Sequence, residues 1–380
     1  MRPILSGGPD VTATETTLHK TPMHEWHVAA GAKMVDFAGW SMPLLYDSII
    51  EEHNNVRTNV GMFDVSHMGR FRFEGADAGA LLDRCCSRRV DNTPIGAARY
   101  GIVCNEQGGA LDDVLIYRIA DEEFFAVVNA SNREKLFDHF NTVGANDRCT
   151  IKDETFDTAM VALQGPKAME LISNFSSQVP ALKRFRFTMV DVFGAQVMVS
   201  RTGYTGEDGV EAILPASLAT SAAELLSAMP GADMIKPAGL GARDTLRLES
   251  AMPLYGHELG EETPAFAVGM PFAFTLSDDE RKPFIGDAAL REQKASGTPR
   301  KLVGLNIEGR RAARQGMTVT SNGAEVGEIT SGCLSPTLDR SIAMAYIDAA
   351  LCEDGTAFEV ETGRATLNAT AQALPFYKSS

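Results

Sequence analysis

Between residues 98 and 129 the apolar positions fall into three short runs, Ala98–Cys104, Val114–Ile119 and Phe124–Asn129, each rich in β-branched and aromatic side chains. Gly108 and Gly109 read as a tight turn between the first two. Hairpin links make the three strands antiparallel, and the spacing of Asn132–Asn141 predicts a helix after them. Further helices are predicted over His24–Ala30, ending at Gly31, and over Ser48–Val60, Asp77–Cys86, Pro166–Asn174 and Leu218–Met229. Strands are predicted over Arg70–Glu74, Phe156–Gln164, Phe185–Val192, Gln196–Ser200 and Val210–Leu214. Met34–Pro43 reads as a strand and turn, and Gly61–Gly69 as a turn back into strand. The pattern is α+β.

Beyond Lys301 the signal changes to six strands at short spacing, Leu302–Ile307, Met317–Thr320, Glu325–Thr330, Ile342–Ile347, Ala357–Val360 and Ala365–Ala371. Six strands without a strong helix predict a small β-barrel. Before it, Ser277–Lys282 reads as a solvated charged run, and Lys294–Arg300, with its Gly and Pro, as a linker. The organisation expected is a flexible leader over 1–17, a body over 18–276, a linker over 277–300 and a barrel domain over 301–380.

A chain of 380 residues with 44% hydrophobic and 22% charged positions fits a folded protein of several domains. It has no apolar run of about 18 or more residues to span a bilayer. A net charge of −15 argues against a nucleic acid as principal ligand, because phosphate binding relies on Lys and Arg. The six cysteines lack C-x-x-C spacing and read as reduced core residues. The first residues resemble neither a signal peptide nor an organelle presequence, so a cytoplasmic location is the simplest expectation.

Candidate chemistry begins at Asp112 and Asp113, two adjacent acids at the mouth of a buried strand. Alternation should turn them opposite ways, one solvated and one held over the interior. Tyr100 and Asn129 can approach them, although each also reads as an ordinary capped sheet residue. His67 has no nucleophile elbow near it and reads as a hydrogen-bonded structural histidine. Gly203, Gly206 and Gly209 resemble a dinucleotide fingerprint, but strand rather than helix follows. The preferred reading is a turn that exposes Tyr204 and delivers Glu211 to the inner face of the next strand. A glutamate there must be paired or functional.

Arg243 and Arg247 share a helical face; Arg247 is expected to pair with an acid, while Arg243, at the helix start, is placed to meet a ligand. Arg310, Arg311 and Arg314 are either solvated loop charges or an anion clamp. No His and acid pair has ligand spacing, so a metal is not expected. Together these residues suggest a pocket for a polar heterocycle with an acidic tail.

Lys20–Pro22, Gly31–Pro43, Phe63–Met68, Gly108–Asp113, Leu163–Pro166, Gly203–Glu211, Ala242–Glu249 and Ile329–Pro336, taken in order, resemble the aminomethyltransferase (T-protein) family of the glycine cleavage system. The resemblance implies three domains in a cloverleaf around a central opening, with 18–52 and 155–245 interleaved against 53–154 and 246–276. It implies tetrahydrofolate in that opening as co-substrate, without metal, and lipoylated H-protein as the partner that brings the aminomethyl group. The products would be ammonia, 5,10-methylenetetrahydrofolate and dihydrolipoyl H-protein. By motif position, Asp113 matches the family's essential aspartate, which leaves Asp112 as the solvated partner. Tyr204, Glu211 and Arg243 match its folate contacts, followed by Met68, Tyr100, Asn129 and Tyr377. Two rival readings are a folate-dependent demethylase of a small methylated substrate and a folate-binding module without turnover. The acidic charge, the leader and the arginine-rich loop at 309–314 are not hallmarks of the family.

Overall fold

A computed structural model describes residues 17–379 apart from 193, 229, 230, 279 and 364. The leader assigned to 1–17, save Thr17, and the helix end expected at Met229 therefore lie outside the described residues.

Alternation decides the first sheet. Ala97–Cys104, Ala110–Ala120, Glu123–Val128, Gly69–Glu74 and Thr150–Asp153 pair in that order, all antiparallel. From Ala110 to Ile116 every second residue is buried, as expected of a strand with two distinct faces. One face packs under the helices Ala78–Cys85 and Arg133–Val143, joining Phe71, Phe73, Val114 and Ile116 to Leu81, Leu136 and Phe140. The other carries Leu115 and Tyr117 into a different core with Phe63 and Phe187, which belong to the second sheet. The two sheets are thus stacked through one shared set of apolar side chains.

That second sheet runs Phe187–Val192, Ala195–Ser200, Gly209–Pro215, Thr158–Gln164, Val60–Asp64 and Ile235–Pro237. Only its last pair is parallel. The sequence reads Gly61–Gly69 as a turn, but Val60–Asp64 is a fully buried strand. Met62 and Phe63 supply apolar faces, and strands on both sides satisfy the backbone, which outweighs the turn character of Gly61. The helix Leu240–Glu249 then crosses between this sheet and the C-terminal part of the chain.

The C-terminal strands close into a barrel in the order Arg300–Ile307, Arg340–Asp348, Ala324–Ser335, Thr318–Ser321, Ala357–Glu361 and Thr366–Gln372. Each expected strand falls within or beside one of these. Upstream, the charged run is not simply solvated: Arg281 is buried and donates to Ser87 O at 2.8 Å and Asp83 O at 2.9 Å. A guanidinium can be buried there because carbonyl oxygens meet its two terminal nitrogens and Asp83 lies beside it. Asp287–Ser296 forms a helix that buries Leu290.

The barrel is tied to the body through Glu249, whose side chain is fully buried. It accepts from Arg57 Nη2 at 2.8 Å, Thr337 N at 3.0 Å, Thr337 Oγ1 at 2.7 Å and Ser335 Oγ, with His53 Nε2 at 3.2 Å. Burial alone would raise its pKa, but the hydrogen bonds from His53, Ser335 and Arg57 prevail and lower it to about 2. A depressed carboxylate stabilises the fold fully above its ordinary pKa, and this is lost as pH falls through the folded value. Denaturant unfolding should show the joint intact above about pH 4.5 and lost progressively towards pH 2. Glu249→Ala should cost roughly 3–5 kcal/mol at pH 7 by leaving Arg57 short of a partner, and should flatten that acid dependence.

Candidate active site

A cavity of about 1240 Å³ opens where the two sheets, the helix Leu240–Glu249 and the barrel meet. Asp113 lies on its wall, in register with Ile102 across the hairpin. Tyr100, two residues from Ile102 and so on the same face, donates its hydroxyl to Asp113 Oδ2 at 3.1 Å. Asn129, at the end of the third strand, donates Nδ2 to Asp113 Oδ1 at 2.8 Å. The carboxylate is therefore held from both sides.

Asp112 turns to the helix-covered face, as alternation requires, but it is not solvated. It is fully buried and accepts from Asn129 N at 2.9 Å, Asn129 Nδ2 at 2.8 Å and Asn132 Nδ2 at 2.7 Å. The expectation of a solvated partner fails because Ala130–Asn132 and the helix after it close over that face. Burial raises the pKa of both acids, and the Asp113 charge adds to the rise at Asp112. Three N–H donors with no acceptor among them favour the charged form of Asp112. The neighbour facing the cavity is the better placed to exchange a proton.

The opposite wall is built by the turn between Ser200 and Gly209. Gly203 has no alternative residue here: a Cβ would stand 1.9 Å from Gln164 Oε1, and Gln164 Nε2 donates to Thr202 O at 3.1 Å and Val210 O at 3.2 Å. The turn holds Tyr204 with its hydroxyl on Pro253 O at 2.5 Å and the Arg243 guanidinium 4.8 Å over its ring. Such stacking is worth ~0.5–2 kcal/mol and fixes the cation's plane. Glu211 accepts from Thr202 Oγ1 at 2.6 Å. Burial raises its pKa, while Thr202 and the Arg243 charge pull it down.

Asp113, Tyr204, Glu211, Arg243, Met68, Tyr100 and Asn129 all line the one cavity. Tyr377 stands outside it. Its ring lies under Arg57 at 4.0 Å and its hydroxyl donates to Glu207 Oε1 at 2.8 Å, so it fastens the C-terminal segment near the Glu249 joint. Arg247 pairs with Glu258 at 2.9 Å and Asp244 at 2.9 Å, as expected. Arg310 pairs with Asp339 at the surface, while Arg314 reaches the cavity wall.

His67 differs from its expectation. It is buried on the cavity wall, yet its Nδ1 has no hydrogen-bond partner among the described residues, and neither does Arg243 Nη1. Phe37 meets the imidazole edge-on at 5.5 Å. Burial, reinforced by the nearby Arg243 charge, lowers its pKa to about 3 and keeps it neutral. Two unpartnered polar atoms on one wall suit a ligand that carries hydrogen-bonding groups. The only sequence signal for His67 is its place beside Met68. Asn132, three residues after Asn129, has none beyond its helix-start position.

The GCVT N-terminal domain matches residues 23–278, and the glycine cleavage T-protein C-terminal barrel domain matches 300–378. The chain belongs to the glycine cleavage T-protein family. It is 46% identical to the aminomethyltransferase of Rubrobacter xylanophilus over 369 residues, covering 97% of this chain and 96% of that relative. It is 41% identical to the aminomethyltransferase of Thermotoga maritima over 364 residues, covering 96% and 99%. The crystal structure of glycine cleavage system aminomethyltransferase T from Bartonella henselae superposes with a TM-score of 0.89 at 31% identity, over 95% of this chain and 98% of that one. T-protein membership carries aminomethyltransferase activity with it, which sets aside a module without turnover. Among the described residues, no group of three His, Cys, Asp or Glu is placed to hold a metal ion, and no helix is long and apolar enough to cross a membrane.

A raised carboxylate stays protonated at pH values where an ordinary one has ionised. If the reaction requires the Asp113 anion, a pH profile of turnover should rise through an inflection above the usual carboxylate range near 4. The Tyr100 hydrogen bond favours the anion, so Tyr100→Phe should move the inflection higher. An inflection near 4, or a downward move, would contradict this electrostatic account.

Proposed function

We propose that the cavity binds tetrahydrofolate and admits the aminomethyl-lipoyl arm of H-protein, and that Asp113 serves the transfer between them. The observation that carries this reading is the Asp113 carboxylate, fixed by Tyr100 and Asn129 on the wall of a cavity that also displays Glu211 and Arg243. Glu211 can accept from the amino-pyrimidinone edge of a pterin, and Arg243 can donate its unpartnered N–H to a carbonyl oxygen. Tyr204 and Met68 offer apolar surface to the ring faces. A volume of about 1240 Å³ exceeds the ~300–1,000 Å³ typical of single-ligand sites, which leaves room for a carrier-borne arm beside folate.

The transferred carbon leaves both sulfur and nitrogen and ends bonded to N5 and N10 of folate. Each folate nitrogen gives up one proton. One restores the lipoyl thiol and the other goes to the departing nitrogen, which leaves as ammonia. Between the first and second C–N bonds the carbon and folate nitrogen have iminium character, and a fixed carboxylate in a dry site stabilises that charge better than water does. Asp113 positions the folate, offsets this charge and is placed to relay a proton.

Asp113→Asn should retain tetrahydrofolate binding within a few-fold while ammonia release from aminomethylated H-protein falls by at least about 10²-fold. Near wild-type turnover would refute the role. Comparing the lipoyl-bound donor with free methylamines separates aminomethyl transfer from the demethylase alternative, and only the former should be consumed.

A further inference from the structure

We infer that Asp112 is a positioning residue for the transfer: it fixes the Asn129 amide so that Asn129 Oδ1, beside Asp113, is presented as the seat of the substrate's amine nitrogen. This rests on the reading of the cavity as the aminomethyl-transfer site. Asn129 Nδ2 is 2.8 Å from Asp112 Oδ1 and 2.8 Å from Asp113 Oδ1. Both neighbours are carboxylate oxygens, which accept and do not donate when ionised. A flipped amide would set its oxygen against both carboxyl groups and against the Asp113 backbone oxygen, 3.3 Å from Nδ2, which never donates, so the chemistry determines the orientation. Each carboxylate takes one of the two amide hydrogens.

The group left to Asn129 for a ligand is therefore Oδ1, an acceptor. No described residue donates to it, and Asn129 lines the cavity. Next to it stands Asp113, whose oxygens are acceptors too. An acceptor amide oxygen beside a carboxylate suits a nitrogen rich in N–H, which describes both the aminomethyl amine and the ammonia it becomes. It suits a carbonyl or a thiolate poorly.

Asp112 touches neither cavity nor substrate. Its own orientation is set from behind by Asn132 Nδ2 at 2.7 Å and by the Asn129 backbone N–H at 2.9 Å. Hydrogen bonds thus run from Asn132 to Asp112, from Asn129 to Asp112 and from Asn129 to Asp113. An asparagine at 112 leaves one acceptor oxygen where two served three N–H donors, and its own NH2 then faces a donor, so the Asn129 amide is no longer held and its oxygen can turn away from the substrate.

The test runs the reaction backwards with the full chain, using dihydrolipoyl H-protein, 5,10-methylenetetrahydrofolate and ammonium chloride. Asp112→Asn should fold, as judged by circular dichroism and thermal melting, and should bind tetrahydrofolate within about twofold of wild type. The KM for ammonium should rise at least about tenfold, with the folate KM unchanged. Asn132→Ala, which removes one donor behind Asp112, should give a smaller rise in the same parameter. An unchanged ammonium KM in folded Asp112→Asn overturns the assignment. So does a parallel loss of folate affinity, which would mark Asp112 as a general support of the site. Where Asp112→Asn fails to fold, the same split in Asn132→Ala decides. A wild-type protein that binds no tetrahydrofolate overturns the reading of the cavity and this inference with it, and does so before any variant is compared.

Discussion

Everything at the site depends on one constraint, the two-residue period of the strand Ala110–Ala120 in a sheet with two different faces. Neighbouring acids on such a strand cannot share an environment. Asp113 is turned to the cavity and Asp112 under the helix that follows Asn132. Burying either carboxylate unpaired would cost several kcal/mol, and the chain offsets this with neutral amide and hydroxyl donors rather than cations. No lysine or arginine among the described residues donates to either acid. A salt bridge would have lowered the pKa values and neutralised the charge; amides hold the geometry and leave the charge available.

The cavity exists only while three bodies of structure stay together, and polar groups set their registration. Between Leu240–Glu249 and the barrel, Arg247 Nη2 donates to Ser331 Oγ at 2.7 Å and Ser331 Oγ donates to Glu258 Oε1 at 2.6 Å. Arg247 also lines the cavity, so the same side chain that seats the barrel shapes the opening. Glu249, two residues further on, and Tyr377 do the corresponding work away from the cavity. Apolar contacts supply most of the association, but they are tolerant of sliding, whereas a buried carboxylate with several donors is satisfied in one arrangement.

Much of this was legible in the sequence, where local pattern and tertiary context agree. The barrel strands were visible because each is short, alternating and bounded by turn residues, and the hairpin because Gly108 and Gly109 punctuate it. Val60–Asp64 was hidden because its strand character comes from neighbours far away in sequence, Thr158–Gln164 and Ile235–Pro237. The same holds for Arg281, most of whose carbonyl partners, Asp83, Cys86 and Ser87, lie far away in sequence. At the site, alternation correctly separated Asp112 from Asp113 but carried no information about what covers each face. That is why a buried, triply bonded Asp112 read as solvated. His67 was misread for a related reason: a missing partner is visible only once the neighbours are in place.

The distribution of charge around the opening is the remaining step from geometry to chemistry. At one wall Glu211 and Arg243 stand near each other, a donor and acceptor arrangement with little net charge, suited to a flat heterocycle that carries both kinds of edge. At the other, Asp113 faces the cavity with only neutral donors behind it, and Asp112 stands beside it on the opposite face of the strand, its own ionisation opposed by burial and by the Asp113 charge. A unit cation about 4 Å from a carboxylate at an effective dielectric of ~20 gains about 4 kcal/mol, which corresponds to roughly a thousandfold in rate if the charge exists only at the transition state. A ground-state cation would gain nearly as much and be held without acceleration. On the function proposed for the cavity, the acidic wall accelerates transfer because the folate nitrogen would arrive neutral and become positive only as the carbon is passed to it.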